Sequence, residues 1–476
     1  MSSSKKLKSF LTSKNLDPKE VKLHNDNKLK PKNDYILYWM QQSQRIKDNK
    51  ALVVSALLAQ NLNLPLVIGF VFIPEFPEGN HRHFSFMYDG IEQIKKQLED
   101  TAIDLKIKIG DPVDKVKTMA AKSACVITDS GYLKPAQNWR KNLGKKLQVP
   151  LLEVSSNLIV PIEIASHKEE YAAYTLRKKL KPEIEDHLKI WQLPDDLPAA
   201  PNFSELPELF ADKKKFLNDL NLTNNTPKIR DFPGGYQAAK NILNDFIANK
   251  LPQYEDKRSD PDYECESDLS PYLHFGHISP REVAIKTRKA AKERNLPLAN
   301  FWDELIIRRE LSFNFVYYNR QYDKFPEFLP DWARETLNIH REDKREYVYG
   351  RHQFESASTH DKYWNAAQLE LIHRGKIHNY MRMYWGKKIL EWSNSPKKAF
   401  DICLYLNNKY ALDGRDPNSY GGVAWCFGKH DRAWQERKIY GKVRYMNRNG
   451  LERKFKLNDY IDKVKNLAGI KELPGE

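Results

Sequence analysis

The chain has 476 residues, of which 30% are charged, 41% apolar and 12% aromatic. That length calls for two to three domains, and the composition excludes both wholesale disorder and a membrane-embedded protein. Lysine and arginine exceed aspartate and glutamate by 78 to 63, a net charge of +15, which favours polyanionic partners, nucleic acid first.

Residues 1–33 are polar and lysine-rich and are expected to form a basic extension that is flexible or lightly docked. The opening MSSSKKLKSFLTSKNL lacks the apolar core of a secretory signal. Cys125, Cys265, Cys403 and Cys426 show no CxxC pairing, so a reducing, intracellular setting is expected, cytoplasmic or, in a eukaryote, nuclear. From residue 34 short apolar runs at 35–39, 66–73, 105–109, 124–129 and 151–154 alternate with helix-patterned stretches such as 50–61. This alternation predicts a Rossmann-like parallel sheet, an α/β domain over residues 34–165. No GxGxxG and no Walker-type glycine loop accompanies it. The longest apolar run, residues 64–74, is about half of a bilayer span, so no transmembrane helix is expected.

Residues 166–235 are charged and proline-bearing and predict an interdomain linker with a few helical turns. Over 236–466 the strand signal vanishes. Aromatic-rich, helix-patterned segments broken by SP, GK, SNSP and DGRDPN predict an all-α second domain.

Four features of that second domain carry chemistry. Trp385 and Trp392 lie seven residues apart, about 10.5 Å of rise on one helix face; a relay for an electron and ordinary face packing both fit. Asp413, Arg415, Asp416 and Asn418 fall within one Gly- and Pro-marked turn. That turn suits a metal-binding loop, an Asx-turn cluster or a polar clamp for a ribose or a flavin ring. Ser267 and Ser270 precede a proline and a helical run, as at a phosphate-binding helix start or a plain N-cap. Glu304 and Arg308 are spaced as a helix-surface ion pair.

Taken in order, SDLSPYLHFGHISPREV, RRELSFNF, HNYMRMYWGKKILEW, LNNKYALDGRDPNSYGG and KVRYMN closely resemble the photolyase/cryptochrome flavoproteins. Within that family the resemblance is to the class II cyclobutane pyrimidine dimer photolyases. It extends into the first domain through YILYWMQQSQRIKDNKAL, VITDSGYLK and ASHKEEYAAYTLRKK, and covers residues 34–465.

The resemblance implies a blue-light-driven carbon–carbon lyase of the deoxyribodipyrimidine photo-lyase type, a monomer acting on UV-damaged DNA with no membrane partner. It implies FAD, active as FADH⁻, and in some members an antenna chromophore such as 8-hydroxydeazaflavin. It assigns FAD to Tyr254, Ser267, Leu269, Ser270, Arg382, Asn407, Asp413 and Asp416, with Asn407 facing the reactive nitrogen of the flavin. Trp385, Trp364 and Trp392 match an electron path, the first nearest the flavin and the third toward the surface. The damaged DNA falls to Arg258, Glu304, Tyr380, Met383, Trp425, Arg432 and Arg444. Glu304 is expected to be a desolvated, protonated donor to the dimer, and the arginines to clamp phosphates. No metal is implied. Arg308, Ser259, Asn379 and a 425–430 loop one residue short depart from the class II pattern. Rival readings are a cryptochrome-like blue-light photoreceptor and a light-independent flavoprotein or DNA-binding module, neither of which repairs dimers in light.

Overall fold

The computed structural model describes residues 9–13, 16–199, 208–222, 226–229 and 231–475. Six strands form one sheet: β1 (Val21–Leu23), β2 (Tyr35–Met40), β3 (Leu66–Phe72), β4 (Ile103–Ile109), β5 (Ser123–Asp129) and β6 (Leu151–Val154). Their order is β1-β6-β5-β2-β3-β4, parallel except for the antiparallel edge strand β1. Strands β2, β3 and β5 are buried at every position, because helices cover both faces; that is why they read as continuous apolar runs rather than alternating ones. Between β2 and β3 runs helix Lys50–Leu62, capped by the Asn49 side chain and ended by left-handed Asn63. The chain order reverses between the adjacent strands β2 and β5, so their C-terminal ends open a crevice, the usual place for a ligand in such sheets.

Beyond the sheet the chain is helical. Its main elements are Pro280–Arg294, Arg309–Tyr318, Lys362–Arg374, Asn379–Trp392, Pro396–Tyr410, Pro417–Cys426 and Asn458–Ala468. The expected α/β half and all-α half are both present. No helix among the described residues is long and apolar enough to cross a membrane.

Two segments pack more fully than their composition shows. The described part of the extension is docked: Val21–Leu23 pairs with β6, and His24 meets Glu153 at 2.6 Å. Three residues are too few to give a strand pattern; the unpaired edge of β6 supplies the order. The 166–235 connection is packed as well. Leu176, Leu180 and Ile184 join the helical core, while Phe210 and Phe216 join the core of the sheet. Residues 1–8, 14, 15, 200–207, 223–225 and 230 of these two segments lie outside the described residues.

The two halves meet along a buried polar seam. Arg281 of the helical half reaches Asp48 at 3.1 Å and the carbonyls of Leu158 and Ser156. Arg45 returns the contact by donating to the Gly276 carbonyl. Gly276 has a left-handed φ of 70°, and a Cβ there would stand 1.9 Å from the Gln42 carbonyl; only glycine allows this approach. Arg82 donates to the carbonyls of Tyr410, Ile372 and Pro227. Glu310 accepts from the backbone N–H of Ile159 and Val160, and its other oxygen is buried without a partner.

Burial pushes the Glu310 carboxyl up to about 7, against the lowering pull of Arg309. The folded state therefore holds this proton over a window in which the unfolded chain has released it, and stability falls as pH rises from about 4.5 to about 7. Glu310→Gln keeps the acceptor and removes the titration. Between about pH 5 and about pH 8 the variant should gain about 1–3 kcal/mol relative to wild type in urea unfolding. Parallel pH curves for the two proteins would refute the assignment.

Candidate functional site

A cavity of about 800 Å³ opens in the helical half. Helix Asn379–Trp392 forms one wall, starting at the His378 side chain, which accepts from the Tyr380 N–H. Helix Pro417–Cys426 forms the floor, capped by Asp416, which accepts from the Asn418 N–H. The 266–270 segment and the π-helical turn Asp303–Arg308 close the remaining sides. Tyr254, Ser267, Leu269, Ser270, Arg382, Asp413 and Asp416 all line it, as do Arg258, Glu304, Tyr380, Met383, Trp425 and Arg444. Asn407 lies behind the lining, and Arg432 is exposed outside it.

The polar wall is incompletely satisfied. Arg382 donates to Asn407 Oδ1 at 3.1 Å and stands 3.6 Å from Asp413 Oδ1. Asn407 Nδ2, Asp413 Oδ1 and Ser270 Oγ are buried with no hydrogen-bond partner. Buried polar atoms are paired in nearly all native structures, so two such atoms at the cavity wall and one just behind it leave hydrogen-bonding capacity free for a polar ligand. Gly422 adds space: a Cβ there would meet nothing within 4 Å. The Arg382–Asp413 pair is open to the cavity rather than a sealed internal ion pair. Asp416 is committed to its cap and to His274 at 3.1 Å.

The helix that follows Ser267 has only five residues, Ser270–His274, so the strong dipole expected of a phosphate-binding helix start is absent. A charge cluster stands in its place. Asp268, at a left-handed φ of 56°, is held by Lys376 at 2.8 Å, Lys250 at 3.1 Å and Arg374 at 3.2 Å. Lys376 also pairs with Glu266, which accepts from the Asn379 N–H. Lys376 lines the cavity and escaped sequence reasoning, because nothing near it in the chain shows its partners.

The three tryptophans are brought together. Trp364, on a neighbouring helix, stacks on Trp385 at a centroid distance of 6.4 Å and 7° between planes. It meets Trp392 edge-on at 6.3 Å. Trp385 and Trp392 are thus bridged by a third ring, a contact their spacing could not show. Trp392 is only 4% exposed; His360 and Tyr349 cover it.

Glu304 meets Arg258 at 3.0 Å and Arg308 at 3.3 Å. Its side chain is 32% exposed where it lines the cavity. The helix pair with Arg308 is real, and it belongs to a chain of charges running through Asp303 to Arg177. Arg444 pairs with Asp431 at 3.2 Å and packs on Trp434 and Trp425, while Arg432 lies over Trp434 at 5.2 Å. Asp431, Trp434 and Arg177 were not anticipated as parts of this face.

A second cavity of about 120 Å³ lies at the crevice between the sheet and the helical half, walled by Trp39, Phe70, Phe76, Trp139 and Phe313. Gln41 Oε1 and Gln44 Oε1 are buried there without partners. His274 lines both cavities.

Residues 36–201 match the family model for DNA photolyase. The chain is 44% identical over 443 residues to the deoxyribodipyrimidine photo-lyase of Methanothermobacter thermautotrophicus, covering 91% of this chain and 95% of that protein. It is 35% identical to that of Potorous tridactylus, over 92% and 83% of the two chains. Among solved structures, a class III photolyase from Agrobacterium tumefaciens shares the fold with a TM-score of 0.73 at 18% identity, covering 93% of this chain and 94% of the other.

Burial pushes the Asp268 carboxyl up, but Lys376, Arg374 and Lys250 outweigh it and hold the group well below the usual carboxylate range. Its stabilising contribution is full above about pH 4 and is lost as pH falls below that. Asp268→Asn would leave the cations uncompensated and should cost about 3–5 kcal/mol near neutral pH. The difference from wild type should shrink in melts at about pH 3; a constant difference would show that the cluster does not depend on this charge.

Proposed function

The chain belongs to the photolyase/cryptochrome family, and from that premise we propose that it is a class II cyclobutane pyrimidine dimer photolyase holding FAD in the 800 Å³ cavity. Its activity is that of a deoxyribodipyrimidine photo-lyase, a DNA-repair lyase. The observation that carries the FAD assignment is that Ser270 Oγ and Asp413 Oδ1 at the cavity wall, and Asn407 Nδ2 just behind it, are buried with no hydrogen-bond partner. When bound, reduced FAD supplies light-driven one-electron transfer to the dimer.

The chain's own residues have distinct tasks in this reading. Ser270 and the cations around Asp268 hold the diphosphate end. Arg382 occupies Asn407 Oδ1, so the amide turns Nδ2 outward and acts as a donor to the flavin ring. Arg382 itself sets positive charge against the ring, where the reduced state carries negative charge. Trp385, Trp364 and Trp392 form the path by which charge crosses the helical half. Photolyases in general extrude the damaged nucleotides from the duplex. Here Met383 and Trp425 offer the apolar walls for them, and Arg258, Arg308, Arg432 and Arg444 offer the phosphate contacts. Glu304 fixes Arg258 and Arg308 at the rim of that pocket. The small crevice cavity, with Trp39 and Trp139 in its wall and the Gln41 and Gln44 oxygens free beside it, is the candidate antenna site, and at about 120 Å³ it would have to widen to take a tricyclic chromophore.

The deciding measurement is a flavin absorption spectrum of purified protein followed by dimer repair in blue light and in darkness. Repair confined to light is expected; a flavin without repair would favour a photoreceptor. Trp385→Phe should abolish photoreduction of the flavin while chemically reduced enzyme still repairs, and unchanged photoreduction would remove the tryptophan path. Gly422→Val should shift stability by less than about 1 kcal/mol, since valine is the better helix former. Its branched side chain would enter the cavity, so the variant should purify nearly free of FAD. Full flavin content would place the cofactor elsewhere.

A further inference from the structure

Helix Pro417–Cys426 runs beneath the cavity with Asp413 and Asp416 before its start and Trp425 at its end. Asp416 fixes the first turn. The last turn leaves carbonyl groups without intrahelical partners, at the negative end of the helix dipole. One of them, the Cys426 carbonyl, accepts from Lys387 Nζ at 2.7 Å. Lys387 belongs to helix Asn379–Trp392 and is fully buried, at 0% exposure. The same ammonium lies 4.8 Å from the Trp425 ring centroid. Arg444 approaches that ring as well, at 5.6 Å. A buried lysine is costly unless its charge is compensated; here a helix C-terminus and an aromatic face compensate it together.

We propose that Lys387 is a positioning residue for damage recognition: its charged ammonium pins the end of helix Pro417–Cys426 and holds the Trp425 indole as the wall against which the dimer rests. This rests on the assignment of Trp425 to the dimer pocket made above. Trp425 is partly exposed along the cavity, so its orientation depends on what holds it from behind. The hydroxyl of Tyr440 donates to the Lys387 carbonyl and anchors the lysine's own backbone.

The charge on Lys387 is poised to change. Burial brings its pKa down to about 8, with Cys426 and Asp431 opposing that fall and Arg444 adding to it. The groups facing it are Cys426 from its partner helix, Cys403 from helix Pro396–Tyr410, and Asp431 and Arg444 from the segment beyond. Burial pushes both thiols up, so neither gains charge where the lysine loses it. Above about pH 8 the ammonium becomes a neutral amine, and both the carbonyl bond and the cation–π contact weaken.

The test uses flavin-loaded enzyme in the dark, with dissociation constants for a dimer-containing and an intact oligonucleotide measured from about pH 7 to about pH 9.5. The ratio of the two constants is the readout. In wild type the preference for the dimer should fall about fivefold to thirtyfold as pH rises through about 8, the range from an exposed to a desolvated cation–π contact. Lys387→Met should show the lowered preference at every pH, and Trp425→Ala should be low and flat as well. A wild-type ratio that stays level overturns the proposal, as does a Lys387→Met enzyme with the wild-type ratio near pH 7. If Lys387→Met does not accumulate as folded enzyme, the wild-type and Trp425→Ala profiles decide between them. A pH-dependent fall that survives in Trp425→Ala would mean that the titration acts elsewhere, and the proposal fails. If Trp425→Ala keeps full preference for the dimer, the pocket assignment itself is wrong. A loss in Trp425→Ala without one in Lys387→Met removes only the role of the lysine.

Discussion

The buried contact of Arg281 with Asp48 holds the sheet and the helical half in one arrangement, and the crevice cavity between them depends on it. Asp48 is 2% exposed and Arg281 3%, so neither charge has water to fall back on. Such a pair adds little net stability over an apolar equivalent, yet losing one partner is severe. Its value is directional. The guanidinium of Arg281 also binds the Leu158 and Ser156 carbonyls, and Arg45 binds Gly276. These hydrogen bonds fix one register of the seam, where an apolar contact would tolerate sliding.

From that register follows the placement of His274, which follows Ser270 by four residues and stands between the two cavities. Its partner Asp416 caps the helix under the larger cavity. The seam, the 266–274 segment and helix Pro417–Cys426 are therefore mechanically continuous. A photochemical enzyme needs such continuity, since electron transfer depends steeply on distance and its groups must stay in place without a covalent tether.

Charge is used differently in the interior and at the mouth of the site. Inside, cations are enclosed by specific acceptors: Lys376 and Arg374 by Asp268, Lys387 by a carbonyl and an indole. At the mouth, Arg258, Arg308 and Arg444 are each paired with a carboxylate but remain partly exposed. Exposed pairs are worth little, so in the proposed function a nucleic-acid phosphate would displace the carboxylate at small cost. In the proposed function the surplus of +15 would act over distance, drawing a polyanion toward these arginines.

The sequence by itself determined the two-half architecture, because burial on both faces forces continuous apolar strands and one-sided burial forces helical periodicity. It also determined the family, since ordered motifs such as SDLSPYLHFG and LNNKYALDGRDPNSYGG carry their identity in residue type and spacing alone. Nearly all of the candidate site residues could be named that way. Only the tertiary structure decided how they face one another. It inserted Trp364 between Trp385 and Trp392, set Arg382 against the Asn407 amide oxygen, and surrounded Glu304 with guanidinium groups. It replaced a helix dipole by the cations around Asp268 and set Lys387 beneath Trp425. Each of these joins residues distant in the chain, through contacts of a few ångströms whose energies depend on burial and direction. Local sequence encodes neither; the packing of the two halves supplies both.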